Sequence, residues 1–129
     1  MLTTMNRRRS GPQAIMRVSG PMAVDNLGFQ TVWRISISER PTPEWIQHFG
    51  QQQDATVLCK PTLVSFHRAG ILFTSDAARL STWVKYLDKW TRATNVAVAA
   101  AHERRRQETL AQTAVWKGLV TDPTSESQG

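Results

Sequence analysis

The chain has a single cysteine among 129 residues, and this scarcity excludes several classes of protein. Lone Cys59 cannot form an intramolecular disulfide, so the chain is not a disulfide-stabilised secreted scaffold. We expect a reducing compartment and, by default, a cytoplasmic location. Apolar runs are also short: the longest, Val96–Ala101, could not cross a bilayer. No apolar run follows Arg7–Arg9 as a secretory signal would require.

Sequence motifs of common enzymes are missing as well. The chain has no glycine-rich phosphate loop and no G-x-S-x-G nucleophile turn. His102-Glu103 begins like a zinc-protease motif, but Arg106 stands where the second histidine would be. We therefore expect no metal, no cofactor and no catalysis. A pairing of Cys59 with His67 across neighbouring strands leaves a cysteine-dependent enzyme as a distant alternative.

Basic residues are plentiful and unevenly distributed. The chain carries 16 Lys and Arg against 10 Asp and Glu, a net charge of +6. Half of the excess falls in residues 1–28, which contain four arginines, one aspartate and two glycine–proline pairs. Without a sustained apolar period, this stretch is predicted to be a flexible basic arm. A single domain is predicted over residues 29–117, followed by a disordered tail over 118–129.

The middle of the chain predicts a small antiparallel sheet. Residues 29–38 alternate between apolar and polar side chains, with Phe29, Trp33 and Ile35 on the inward face. Thr42 and Pro43 then fit the N-cap and first position of a short helix, which Gly50 could close in a left-handed conformation. Two or three short antiparallel strands are predicted from residues 55–59, 63–67 and 71–74. The predicted fold class is α+β, with a long C-terminal helix packed on one sheet face and extending beyond it.

The C-terminal helix is too long for the domain it follows. A helix over residues 76–117 would measure about 60 Å, twice the diameter of a small domain. Either it breaks near Thr94-Asn95 and folds back, or its second half projects. We expect a projecting half that forms a homo-oligomer or binds a protein partner. Its interface residues are predicted to be Val98, Ala101, Leu110, Val115, Trp116 and Leu119.

The five tryptophans separate into two groups. Four share a face with Ile, Leu or Phe and are predicted to lie in the core, whereas Trp116 lies outside it and is the expected interface anchor. Asp88 and Arg92 are expected to pair along the helix. The alternative to a protein-interaction module is weakly specific nucleic-acid binding. Its contacts would be Arg7, Arg8, Arg9, Lys85, Lys89 and Arg92.

Overall fold

The computed structural model describes residues 11–128, with side chains described as far as Trp116. The regular elements are β1 (Met22–Asn26), β2 (Thr31–Ser36), α1 (Pro43–Gly50), β3 (Ser65–Phe66), β4 (Gly70–Ser75) and α2 (Leu80–Gln128). Short 3-10 turns at Pro61–Leu63 and Ala77–Arg79 precede β3 and α2. The strands form one antiparallel sheet in the order β1-β2-β4-β3. The predicted α+β class with a long C-terminal helix is confirmed.

Strand β2 has the alternation that its sequence predicts. Ile35 is 1% exposed and lies opposite Ile71 of β4, while Trp33 lies opposite Phe73. Phe29 departs from the prediction, because it is 86% exposed in the turn before β2. That turn is closed by a hydrogen bond from the Leu27 amide to the Gln30 carbonyl, at 2.8 Å.

Helix α1 begins as predicted and ends differently. The Thr42 hydroxyl accepts a hydrogen bond from the Trp45 amide at 3.2 Å, and Pro43 is the first helical residue. Gly50 remains in the helix, and Gln51 caps it at a φ of −93° rather than in a left-handed conformation. The Gln51 amide donates to the His48 carbonyl at 3.2 Å and the Gln52 amide to the Phe49 carbonyl at 3.3 Å, so these two carbonyls at the helix end have partners without a left-handed glycine.

Aromatic rings from both helices and the sheet form the core. Phe49 of α1 lies 5.2 Å from Phe66 and 5.8 Å from Trp90, edge to face in both cases. Trp45 and Trp83 are also buried, at 0% and 3% exposure. The four tryptophans predicted to be core are all part of this cluster, with Trp33 half-buried at its margin. Such pairs add about 0.5–1.5 kcal/mol each beyond area burial, which helps a small domain to fold.

Residues 11–28 differ from the predicted arm. Within the described part, Ile15 is 1% exposed and belongs to the core, and β1 pairs with β2. Residues 1–10, including Arg7, Arg8 and Arg9, lie outside the described residues. The apolar alternation that would have indicated β1 is missing because the strand lies at the sheet edge with all five residues exposed. The domain therefore begins before Phe29.

Two ion pairs fix how this N-terminal segment and the loop after α1 lie against α2. The Arg17 guanidinium donates to both carboxylate oxygens of Asp88, at 2.8 and 2.9 Å, instead of leaving Asp88 for the predicted partner Arg92. These hydrogen bonds raise the pKa of Arg17 above its ordinary value. Lys89 forms an ion pair with Asp54.

The predicted strand at residues 55–59 is a turn. The Thr56 amide donates to the Cys59 carbonyl at 3.0 Å, and the Thr56 hydroxyl accepts from the Cys59 amide at 3.0 Å. Only Cys59 is buried, so the apolar composition of this stretch does not reflect a strand face. Val57 is 81% exposed at the apex of the turn.

Candidate interaction surface

Helix α2 is continuous, which decides between the two predicted arrangements. At a rise of about 1.5 Å per residue, its 49 residues span about 74 Å. No break occurs at Thr94-Asn95, and the helix continues past Gly118 to Gln128 instead of ending there. Gly118 is the first residue of the predicted tail, and one glycine costs a helix only about 1 kcal/mol.

The helix leaves the domain near Arg105. Up to Ala101 it presents a buried face to the sheet and α1, whereas every side chain from Glu103 to Trp116 is exposed. At the boundary, the Arg105 guanidinium lies 3.0 Å from the Glu44 carboxylate of α1. We call residues 103–128 the distal segment.

Charged side chains inside the distal segment pair along the helix. Glu103 accepts hydrogen bonds from Gln107 at 2.7 Å and from Arg106 at 3.2 Å. The Gln107 bond, followed by the Arg106 contacts, lowers the pKa of the Glu103 carboxyl below its ordinary value. Such pairs give an exposed helix weak local support and occupy one of its sides.

The predicted interface residues do not form one face. Val98 and Ala101, at 3% and 4% exposure, are already buried in the domain and are unavailable to a partner. Leu110 is 52% exposed but lies nine residues from Ala101, about two and a half turns away and so on the opposite side. The residues were predicted to form one interface because they are apolar, although they lie on two different faces of the helix. Leu119 lies outside the described side chains.

Val115 and Trp116 do extend the domain-facing side of α2. They lie fourteen and fifteen residues from Ala101, close to four full turns, and are 63% and 64% exposed. We call the exposed residues on this side the distal stripe: Arg105, Glu108, Gln112, Val115 and Trp116. From Ala101 to Val115 these positions alternate four and three residues apart, the spacing of coiled-coil contact positions.

Three members of the distal stripe were missed in the sequence. Arg105, Glu108 and Gln112 are polar, so a search for apolar positions passes over them. The four-three spacing identifies them only when it is counted outward from a residue that the structure shows to be buried, such as Ala101.

The predicted polyanion contacts are only partly free. Lys85 and Arg92 are exposed on α2, but Lys89 between them is paired with Asp54. Two unpaired cations seven residues apart lie about 10 Å from each other along the axis. The described part of the chain therefore presents a weaker basic row than the sequence suggests.

Cys59 and His67, the predicted candidates for a reactive pair, lack the surroundings that would activate a thiol. Burial raises the pKa of the Cys59 thiol, the opposite of what a nucleophilic cysteine requires. The backbone amide of Cys59 bonds Thr56, while His67 lies exposed in the β3–β4 turn. The structure therefore shows no contact that would activate this pair.

Among the side chains that the structure describes, residues 11–116, no three His, Cys, Asp or Glu come together as metal ligands would. In that same range, none of the helices combines the length and apolarity needed to span a bilayer.

Comparison of the chain with protein-family models, with curated proteins and with solved structures found no match. The distal stripe is thus the feature on which a functional argument rests.

Proposed function

We propose that this chain is a non-catalytic protein-interaction module that forms a homo-oligomer through the distal stripe. The carrying observation is that Val115 and Trp116 are about two-thirds exposed on a helix that projects from its domain. The reducing compartment suggested by lone Cys59, such as the cytoplasm, suits a protein of this kind.

A projecting helix needs contacts that the described domain does not give it. Isolated helices are marginally stable in water, and most helical stability in proteins comes from packing an apolar face. A tryptophan buries 150–250 Å² when covered, which at about 25 cal/mol per Å² is a gain of several kcal/mol. Covering Trp116 would therefore stabilise both the contact and the helix that carries it.

A second copy of this chain suits the stripe because the exposed apolar residues of the stripe lie together, away from the domain. Arg105 is held by Glu44 of α1, whereas Val115 and Trp116 lie farther out. A second copy would bring Val115 and Trp116 of the two chains against each other, with polar Gln112 beside them.

The test is sedimentation velocity of the full chain over a range of concentrations. We expect a self-associating species whose dissociation constant rises at least about tenfold in Trp116→Ala. Leu110→Ala is the matched control, because Leu110 is similarly exposed on the same segment but on the opposite side. A full chain that stays monomeric at every concentration contradicts the proposal.

Nucleic-acid binding has less support, since Lys89 is engaged by Asp54 and Arg17 by Asp88. The same samples can be titrated with DNA and RNA at low salt. Binding that weakens steeply with salt would favour this alternative.

A further inference from the structure

A cleft of about 290 Å³ lies where the β2–α1 loop, α1 and the β3–β4 turn meet. Its lining residues are Arg40, Pro41, Pro43, Ile46, Phe66 and Arg68. The lining is thus mainly apolar, with two cations and no acidic residue. Small-molecule sites in proteins have this character, and the volume of the cleft is at the lower end of their usual range.

Phe66 gives the cleft an aromatic wall whose orientation is fixed by the core. Its ring lies 6.0 Å from Trp45 and 5.2 Å from Phe49, edge to face in both cases. The side chain of Phe66 is nevertheless only partly buried, as is that of Ile46 in the same cleft. An aromatic or aliphatic group of a ligand can therefore pack against a surface that is already in place.

The two arginines of the cleft carry charges that the described domain does not neutralise. Arg40 and Arg68 are both exposed. Among the described residues, neither guanidinium has a recorded hydrogen bond or ion pair, whereas Arg17 and Arg105 each contact a carboxylate of another element. A guanidinium can donate two parallel N–H bonds to a phosphate or carboxylate. Two free guanidiniums beside an apolar wall therefore suit a doubly charged anion attached to an apolar body.

Both arginines are carried by backbone that other contacts hold in place. The Gln13 side chain donates to the Arg40 carbonyl at 2.9 Å and accepts a backbone amide two residues later at 2.8 Å. The His67 amide donates to the Gly70 carbonyl at 3.0 Å and closes the turn that contains Arg68. The cleft is therefore formed before any ligand enters it.

The backbone of Arg68 is strained. Arg68 is the one described residue other than glycine with a positive φ, at 55°. This left-handed conformation is unfavourable for a residue that has a Cβ, whereas glycine adopts it freely. Strained residues of this kind concentrate at sites that hold ligands. Ligand contact is a reason for an arginine to occupy a position where the backbone favours glycine.

We propose that this cleft binds a phosphate monoester carried on an aromatic group. Arg40 and Arg68 hold the phosphate, and the aromatic ring lies against Phe66 and Ile46. A phosphate monoester carries about two negative charges at pH 7, which matches the two free guanidiniums. The site uses no residue of the distal stripe, so it stands independently of the proposed homo-oligomer.

Three probes titrated into the full, ¹⁵N-labelled chain test the site: phenyl phosphate, inorganic phosphate and benzoate. Phenyl phosphate should bind at least about tenfold more tightly than the other two, because inorganic phosphate lacks the ring and benzoate carries one charge. Its addition should shift the amide signals of Ile46 and Phe66. Equal affinity for phenyl phosphate and inorganic phosphate, or no binding of phenyl phosphate at about 10 mM, overturns the proposal.

A short peptide that carries phosphotyrosine distinguishes two sources of the same chemical group. Tighter binding of the peptide than of phenyl phosphate supports the site with a protein-borne phosphate as its ligand. Equal binding supports the site with a small phosphorylated molecule.

Two variants and a matched control connect the binding to the cleft. Arg40→Ala and Arg68→Gly should each weaken phenyl phosphate binding at least about tenfold. Arg92→Ala, which removes an exposed arginine of α2, should leave it unchanged. Because glycine adopts the φ of Arg68 without strain, Arg68→Gly should not lower the urea concentration at which the chain unfolds, so its lost binding cannot reflect lost folding. Equal losses in all three variants would show attraction by net charge alone and overturn the proposal, as would normal binding by Arg68→Gly.

Discussion

Asn95 joins three parts of the domain through one side-chain amide. Its carbonyl oxygen accepts from the Ile15 amide and from the Trp45 indole N–H, both at 2.9 Å, and its NH2 group donates to the Ile15 carbonyl at 2.7 Å. The N-terminal segment, α1 and α2 therefore meet at this residue. Among the described residues, no other polar side chain has recorded hydrogen bonds that connect all three of these parts.

Replacing Asn95 with Ala should lower the free energy of unfolding by at least about 3 kcal/mol. The change leaves two donors and a carbonyl without partners in a partly buried place, and each such group costs about 1–3 kcal/mol. Urea denaturation at one fixed protein concentration measures the effect. Val96→Ala, at the next position and 70% exposed, is the control and should change little. An equal loss in both variants would contradict the role given to Asn95.

Cys59 should be protected in the folded protein. Its side chain is 1% exposed, and burial raises the pKa of the thiol. Alkylation by iodoacetamide near pH 8 should be at least about tenfold slower in buffer than in urea, because the thiolate is the reactive form. Mass spectrometry of the alkylated fraction over time measures both rates. Equal rates would show that Cys59 is accessible.

The same pKa direction predicts how stability depends on pH. A thiol with a raised folded-state pKa disfavours ionisation in the folded protein, while the unfolded chain ionises at the ordinary value. The free energy of unfolding is unaffected by Cys59 below about pH 8.5 and falls as the pH rises above it. Cys59→Ala should reduce this alkaline loss, which urea denaturation at pH 8 and pH 10 would reveal.

The N-terminal segment is the element whose role most needs a direct test. Ile15→Ala should destabilise the domain by about 2–5 kcal/mol, because it removes a fully buried side chain from the core. Met16→Ala is the matched control, since Met16 is 63% exposed at the next position. Urea denaturation compares the two. If Ile15→Ala were as mild as Met16→Ala, the segment would not be part of the folded core.

Elements that bury one face could be predicted from the sequence, and exposed elements could not. β2, α1 and the first half of α2 carry apolar periods because one side of each faces the core, and Thr42 with Pro43 marks the start of α1 locally. Strand β1 has no such period because both its faces are exposed. The turn containing Thr56 and Cys59 was mistaken for a strand because apolar composition does not specify backbone geometry.

The sequence predicted where on the chain the interaction surface lies, but not which residues form it. A helix longer than its domain indicated that its second half would project, and Trp116 was identified as an anchor. Which residues share a face with Trp116 depends on where the domain lies around the helix axis. That information comes from tertiary packing at Val98 and Ala101, so residues such as Glu108 could be assigned to the stripe only from the structure.

At the scale of the whole molecule, the formation of an oligomer should make the helix of the distal segment more stable. In a monomer the described side chains of this segment have the Arg105–Glu44 ion pair at its start and local helical pairs such as Glu103–Arg106, so beyond these contacts the helix should open often. In a homo-oligomer, the packing of Trp116 would keep the segment helical. Stability along α2 would then vary with protein concentration beyond Arg105 and remain constant within the domain.

Limited trypsin digestion can measure this coupling within one helix. Cleavage after Arg104, Arg105 and Arg106 should slow as protein concentration rises at a fixed protease concentration, since proteolysis follows the open population when opening is fast. Lys85 and Lys89 are internal controls on the same helix, where the domain covers the adjacent Trp83 and Trp90 and the opening rate should not depend on concentration. Trp116→Ala should abolish the concentration dependence at the arginines and leave the lysine sites unchanged. If the arginine sites were cut at the same rate at every concentration, the distal segment would not be part of a self-contact.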